Sequence, residues 1–251
     1  MEPITSKQNP LCTHLRRLAS TRSYREQQKE FFCDSPKLLR EAVQWGAEIR
    51  AVLYTAGMDL PDLPADVRVA EVTEAVMKSV SPMEAPQGVV FSCRMRNDAP
   101  PEKLSGSRYL VLDSVQDPGN VGTMLRTADA FDCEGLFLLP GCADIYNPKT
   151  VRSAMGVLFR RNIWRCDLAT LSRLLEEAEI PLYGAALRDD TADLRELDMK
   201  RAAVAIGNEG HGLSEAVLER CDRTVKIPMS ERCESLNAAA AAAVLLWEMF
   251  R

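Results

Sequence analysis

Three short stretches of this 251-residue chain carry polar residues whose types and spacing belong either to a nucleotide-handling enzyme or merely to the loops and helix caps of an α/β protein. The first, "LVLDSVQDPGNVGTMLRTADAF" (residues 110–131), passes from an apolar run through an Asp-Pro-Gly elbow into a helical pattern. Asn120 reads as the N-cap, and Val121, Met124, Leu125, Ala128 and Phe131 form the buried stripe of that helix. Arg126 follows Leu125 and points away from the centre of the stripe. Asn120 and Arg126 are six residues apart, close to two turns, a spacing that lines one edge of a cleft. A capped helix with a solvent-facing arginine accounts for the same spacing.

The second stretch is "AVAIGNEGHGLSEAVLERCD". A strand ends at Ile206, a turn carries Gly207, Gly210 and Gly212, and Ser214 starts a helix. Glycines in such a turn let a ligand approach the backbone and leave amides free to meet it. Their spacing is G-x-x-G-x-G rather than the dinucleotide G-x-G-x-x-G, and the chain has no G-K-[ST] loop. Glu209 inside the turn repels a polyphosphate and suits a cationic or hydroxylated ligand. In the third stretch, "VKIPMSERCESLNAAAAAA", a strand ends at Ile227, Pro228 stops pairing, and an alanine-rich helix follows a polar loop. Ser235 or Asn237 caps that helix, which leaves the other polar residue unexplained. Six alanines at a helix start imply close packing against another backbone.

The elements that must position these loops alternate. "YLVLDSV", "GLFLLP", "PLYGAAL", "AAVAIG" and "RTVKIP" are nearly continuous apolar runs, the pattern of strands covered on both faces of a mostly parallel sheet. Helices are expected near residues 120–131, 148–157, 168–179, 213–221 and 235–250. Ligands in such sheets bind beyond the carboxyl ends of the strands, where all three stretches fall. The fold class is therefore α/β, with a larger carboxyl-terminal domain at residues 109–251. Before it, "MRNDAPPEKLSGSR" (residues 95–108) has the composition of a linker. Residues 1–94 form a smaller α/β block. "EFFCD", "RAVLYTA" and "GVVFSCRM" are its strands, and "SPKLLREAVQWGAEI" is a helix capped by Ser35 with Pro36 at its first position.

The net charge of −5 hides a basic amino-terminal stretch. Residues 1–29 hold six Lys or Arg against two Glu, and residues 5–30 are expected to be helical and to extend away from the core. Such an arm is either a solvated helix face or an electrostatic footprint for nucleic acid. No apolar signal segment follows Met1, and the most apolar run falls short of the roughly 20 residues that span a bilayer. Eight scattered cysteines without a C-x-x-C pair, and only two histidines, assemble no zinc site by spacing. Free thiols in a reducing cytoplasm are the expectation, with neither metal nor membrane involved.

Taken in order, the three stretches resemble the SpoU branch of the SPOUT RNA methyltransferases. "DSVQDPGNVGTMLRTADAF" matches the first family motif, "NPKTVRSAMGVLFR" approximates the second, and "AIGNEGHGLS" with "VKIPMSERCESLNAAAAAA" matches the third. The amino-terminal block resembles the L30e-like substrate-binding extension found in part of that family. The likeness implies an S-adenosylmethionine-dependent RNA ribose 2′-O-methyltransferase. It also implies a trefoil knot in the carboxyl-terminal domain and a homodimer. Structured RNA is the implied partner, ribosomal by preference, with transfer RNA or a catalytically silent RNA-binding protein as alternatives. By motif match, Gly207, Asn208, Ile227, Met229 and Leu236 hold the cofactor, while Asn120, Arg126, Glu209, Ser235 and Asn237 serve catalysis. Arg16, Arg17, Arg22, Arg25 and Lys37 are the expected RNA contacts. Two departures from the family pattern are Ala154 in the second motif, where a small hydroxyl residue is common, and Asp34-Ser35, where an acidic-Gly pair is common.

Overall fold

The computed structural model of the protein describes residues 2–188, 191–230, 232 and 235–251. They form two compact units. One runs up to Arg96 and includes Asp144–Arg160; the other comprises Asn97–Ala143 and Arg161–Arg251.

In the first unit, Asn9 caps α1 (Pro10–Ser20), its side chain accepting from the Leu11 amide at 2.9 Å. Leu11, Leu15 and Leu18 recur at helical spacing and are buried, so α1 packs into the core. This corrects the expectation of an arm extended from the protein: the stretch is basic on one face and apolar on the other. α2 (Arg22–Gln28) leads into β1 (Glu30–Asp34), and Ser35 caps α3 (Pro36–Gln44) as expected. β2 (Ile49–Tyr54), β3 (Arg68–Glu71), α4 (Glu74–Val80) and β4 (Val89–Arg94) follow. The sheet runs β1-β4-β2-β3, with β4 antiparallel to both β1 and β2, and β3 parallel to β2. Phe32, Leu53 and Val90 from the sheet meet Leu15, Leu18, Val76 and Met77 from α1 and α4 in one core.

The second unit opens with β5 (Arg108–Leu112), α5 (Pro118–Ala130) and β6 (Gly135–Leu138). The chain then makes α6 (Pro148–Ala154) and α7 (Val157–Arg160), which belong to the first unit. It returns with β7 (Ile163–Arg165), α8 (Leu168–Glu177), β8 (Leu182–Ala185), β9 (Ala192–Asp193) and β10 (Ala202–Ile206). α9 (Glu215–Leu218), β11 (Arg223–Lys226) and α10 (Ala238–Phe250) complete it. The strand order is β7-β6-β5-β10-β8-β11-β9, and every pairing is parallel. On one face Tyr109, Val111, Phe137, Ala203 and Ala205 pack under Leu171, Leu174 and Leu175 of α8. Their sequence neighbours alternate to the other face, where α10 packs on β10 and along α5. Ala239 and Ala242 are buried there, and the small side chains let the helix approach closely.

Asp144–Arg160 packs with the first unit. Tyr146 and Phe159 lie against Phe31 at ring-centroid distances of 4.7 and 6.1 Å. Asp144 takes an ion pair from Arg25 at 2.6 Å, and Arg152 pairs with Asp34 at 3.0 Å. Burial pushes the Asp34 carboxyl above its ordinary value despite that arginine.

Candidate functional site

The loops that leave β5, β10 and β11 at their carboxyl ends meet in the second unit. Asp117 rather than Asn120 caps α5, accepting from the Asn120 amide at 2.8 Å. The reason is Pro118: its fixed φ and missing N–H place it at the first helical position, so the residue before it is the cap. Asn120 thus sits inside the first turn with its side-chain amide released for other partners.

Those partners come from the other two loops. Asn237 caps α10, its Oδ1 accepting from the amides of Ala239 at 2.9 Å and Ala240 at 3.3 Å. With its oxygen committed to the helix, Asn237 donates Nδ2–H to Asn120 Oδ1 at 3.1 Å. Asn120 in turn donates Nδ2–H to Glu209 Oε1 at 3.0 Å. The helix cap therefore fixes the direction of the whole chain. Glu209 also accepts from the amides of Gln116 and Asp117, each at 3.2 Å. Burial pushes the Glu209 carboxyl up, but the Asn120 hydrogen bond and the backbone amides outweigh it and hold the group below its usual range.

The Gly-rich turn is closed by two backbone hydrogen bonds, from Asn208 N to Gly212 O at 2.8 Å and from Gly212 N to Asn208 O at 2.9 Å. Gly212 has φ +71°, and a Cβ on Gly207 would fall 2.1 Å from the Gly212 carbonyl carbon. Both positions need glycine. Asn208 ties the turn to the β5 loop by donating to Ser114 O at 2.9 Å. Asp113, only 4% exposed, accepts from the Ser214 amide at 2.7 Å. Asp113 escaped the sequence reading, although an acidic residue ending an apolar strand was a visible signal.

Beside this hydrogen-bond chain lies a cavity of about 580 Å³. Ile206, Val225, Ile227, Met229, Leu236 and Leu245 line it, together with Gly207, Asn208 and Gly212. Glu209, Ser235 and Asn237 also line it. The five residues expected at a cofactor thus share one recess with three of those expected to serve catalysis. Its volume falls within the roughly 300–1,000 Å³ of small-molecule clefts, and its apolar walls with a few polar groups suit a flat base bearing a polar tail. Arg126 lies outside the lining, exposed on α5, and makes no hydrogen bond or ion pair with the described residues.

In the first unit the expected RNA contacts divide. Arg17 is exposed, its guanidinium 3.8 Å from the Tyr24 ring centroid; Arg22 is exposed and pairs with Glu26 at 2.8 Å; Lys37 is exposed. Arg16 instead donates to Ser79 O at 2.8 Å and Lys7 O at 2.9 Å, bracing α1. The expectation of an RNA contact is corrected at Arg25. It is 3% exposed and donates to Leu18 O at 2.8 Å besides pairing with Asp144.

Burial pushes the Cys133 thiol up to about 12 and those of Cys142, Cys166 and Cys221 to about 11, so these thiols are poor nucleophiles. Cys233 lies outside the described residues. Among the described residues no cluster of three or more His, Cys, Asp or Glu could hold a metal ion, and no helix is long and apolar enough to cross a membrane.

The profile of the SpoU rRNA methylase family matches residues 107–247, and that of an MRM3-like substrate-binding domain matches residues 9–90. The 23S rRNA (guanosine(2553)-2′-O)-methyltransferase RlmP of Bacillus subtilis is 33% identical over 99% of this chain and 99% of its own length. The 23S rRNA (uridine(2479)-2′-O)-methyltransferase of Streptomyces viridochromogenes is 32% identical over 93% of this chain and 87% of its own. Among solved structures, the AdoMet-bound rRNA methyltransferase from Sinorhizobium meliloti is 29% identical with a TM-score of 0.87. It covers 99% of this chain and 97% of its own.

Proposed function

Because the chain belongs to the SpoU rRNA methylase family, we propose that it transfers the methyl group of S-adenosylmethionine to a ribose 2′-hydroxyl of ribosomal RNA. The observation that carries the proposal is the hydrogen-bond chain from Asn237 through Asn120 to Glu209 beside the 580 Å³ cavity.

The cavity residues fit this cofactor. Ile227, Met229 and Leu236 would hold its adenosine part with apolar surface, and Gly207 and Asn208 would do so with backbone. A positively charged ligand without phosphates has no quarrel with Glu209. Bound there, S-adenosylmethionine supplies an electrophilic methyl group on a sulfonium. The protein's own task is positioning and charge stabilisation. Arg126 stabilises the developing 2′-alkoxide and grips the adjacent phosphate through its planar fork. A guanidinium stays protonated in proteins and is no base, so that phosphate or a water takes the proton. Asn120, Glu209, Ser235 and Asn237 orient the ribose, Arg126 and the cofactor.

The larger assembly belongs to the same reading. The active form is a homodimer with its site completed near the interface, supported by Trp247 and Phe250, which stand 52% and 45% exposed on α10 beside Phe131. The carboxyl-terminal fold carries a trefoil knot, as the family resemblance implies, and is one of the rare exceptions to unknotted chains. Residues 1–94 bind the RNA, with Arg17, Arg22 and Lys37 on phosphates, and the protein works in the cytoplasm. Tritium transfer from labelled cofactor into ribosomal RNA tests the activity. Mapping of 2′-O-methyl sites with and without the gene identifies the nucleotide. RNA binding without cofactor binding in calorimetry would instead make this a silent member of the family, and lost sites confined to transfer RNA would reassign the substrate.

A further inference from the structure

The first unit carries a second recess, of about 380 Å³, at the end of its sheet where β1 starts and β4 finishes. Phe31, Met95 and Phe159 line it with apolar surface. Trp45, at the carboxyl end of α3, also lines it and is 49% exposed. Arg94 and Arg96 are exposed members of the same lining. Arg94 and Arg50 share Glu48 at 3.4 and 2.9 Å. The Arg160 guanidinium carbon lies 5.5 Å from the Trp45 ring centroid while pairing with Glu41 at 2.9 Å. Arg94, Arg96 and Arg160 thus stand around a half-open indole, on a chain whose net charge is −5. A separate recess, lined by Asp34, Lys37, Gln87 and Arg152, lies at the opposite end of the β1–β4 pair.

We propose that the Trp45 recess takes an unpaired nucleobase of the RNA substrate, stacked on the indole, with Arg94 and Arg96 meeting the flanking phosphates. The chemistry favours RNA over a protein partner. An exposed aromatic face accepts any base by stacking, and guanidinium forks match phosphate oxygens. The inference rests on the reading that RNA is the substrate, and it adds a second place where that RNA is gripped.

The test uses the full chain, a short labelled oligoadenylate, and an abasic ribose-phosphate oligomer of equal length, with binding read by fluorescence anisotropy. Trp45→Ala weakens oligoadenylate binding roughly ten-fold and leaves the abasic oligomer unchanged, while Trp45→Phe stays within about two-fold of wild type. Arg94→Gln lowers the salt slope for both oligomers by about one. An unchanged circular dichroism spectrum and a single, unshifted melting transition show that each variant is folded; should Trp45→Ala fold poorly, Trp45→Phe and Arg94→Gln decide. The proposal is overturned if Trp45→Ala binds oligoadenylate like wild type, or loses both oligomers equally. It is also overturned if the wild type does not bind oligoadenylate. Failure of the wild type to methylate ribosomal RNA strikes the enzymatic reading and leaves this binding measurement standing.

Discussion

Asn120→Asp isolates the hydrogen-bond chain at the site. Asn237 can still donate to the new side chain, because its own oxygen remains committed to the α10 amides. The contact to Glu209 changes sign: an N–H donor 3.0 Å from Oε1 becomes a second carboxylate. Losing the hydrogen bond costs about 1 kcal/mol. Repulsion between the two charges adds about 1 kcal/mol with full water screening and about 4 at an effective dielectric of 20. Glu209 is exposed, so the lower figure applies. The sum, about 2 kcal/mol, corresponds to a roughly 30-fold loss of cofactor affinity if the loop must hold its shape to bind. Asn120→Ala loses the hydrogen bonds without the repulsion and is expected to be milder.

The pH dependence has a definite sign. In the wild type the Glu209 carboxyl is held low, so its contribution is present above the ordinary glutamate range and is lost as pH falls through the depressed value. In Asn120→Asp the paired carboxylates raise one another, so mild acid protonates one of them and restores a hydrogen bond. Cofactor affinity by calorimetry, taken below the ordinary glutamate value of about 4.3 for the wild type and across about pH 5 to 8 for Asn120→Asp, reads both effects. The double variant Asn120→Asp/Glu209→Gln should recover most of the loss, since a Gln amide can donate to the new carboxylate. If Asn120→Asp equals Asn120→Ala at neutral pH and Glu209→Gln rescues nothing, the chain does not act as described.

Three other substitutions report on separate features. Arg126→Ala should lower turnover by about 10²-fold or more with cofactor affinity unchanged, and Arg126→Lys should rescue little because a point charge lacks the planar fork; near-wild-type turnover with RNA still bound would remove the arginine from the chemistry. Gly207→Ala forces a methyl group to within 2.1 Å of the Gly212 carbonyl carbon. A cost of about 1–3 kcal/mol and a Tm lower by several degrees are expected, together with weaker cofactor binding. Arg25→Ala removes the 2.6 Å ion pair with Asp144, which is 11% exposed. Destabilisation of about 3 kcal/mol is expected in denaturant titration, and much less if Asp144→Asn is added.

How much of this was legible depended on the range of the interactions involved. The central strands β5, β6 and β10 announce themselves because burial on both faces demands unbroken apolar runs. β3 and β9 do not, since an edge strand such as "RVAE" needs no such run. The three loops were found at the correct sheet edge from turn residues alone. Their hydrogen-bond partners were not, because Asn120, Glu209 and Asn237 are joined only by the fold. The cap of α5 was legible in principle: a proline at the first helical position marks Asp117, and Asn120 competed for the role only by residue type. The basic stretch misled because its cations were weighed and the spacing of Leu11, Leu15 and Leu18 was not. The attachment of Asp144–Arg160 to the first unit rests on contacts such as Arg25 with Asp144 and Phe31 with Tyr146, which no local pattern encodes.

The hydrogen-bond chain also has a kinetic consequence. Its two links join residues 89 and 117 positions apart, from loops belonging to three different strand–helix connections. Closing such long segments comes late in folding, after the local turns of helix and the nearest strands have formed. No state in which one of the three loops is unplaced contains the complete array. In refolding, the capacity to hold the cofactor should therefore lag behind recovery of helix, and its return marks the finished topology rather than any one part of it.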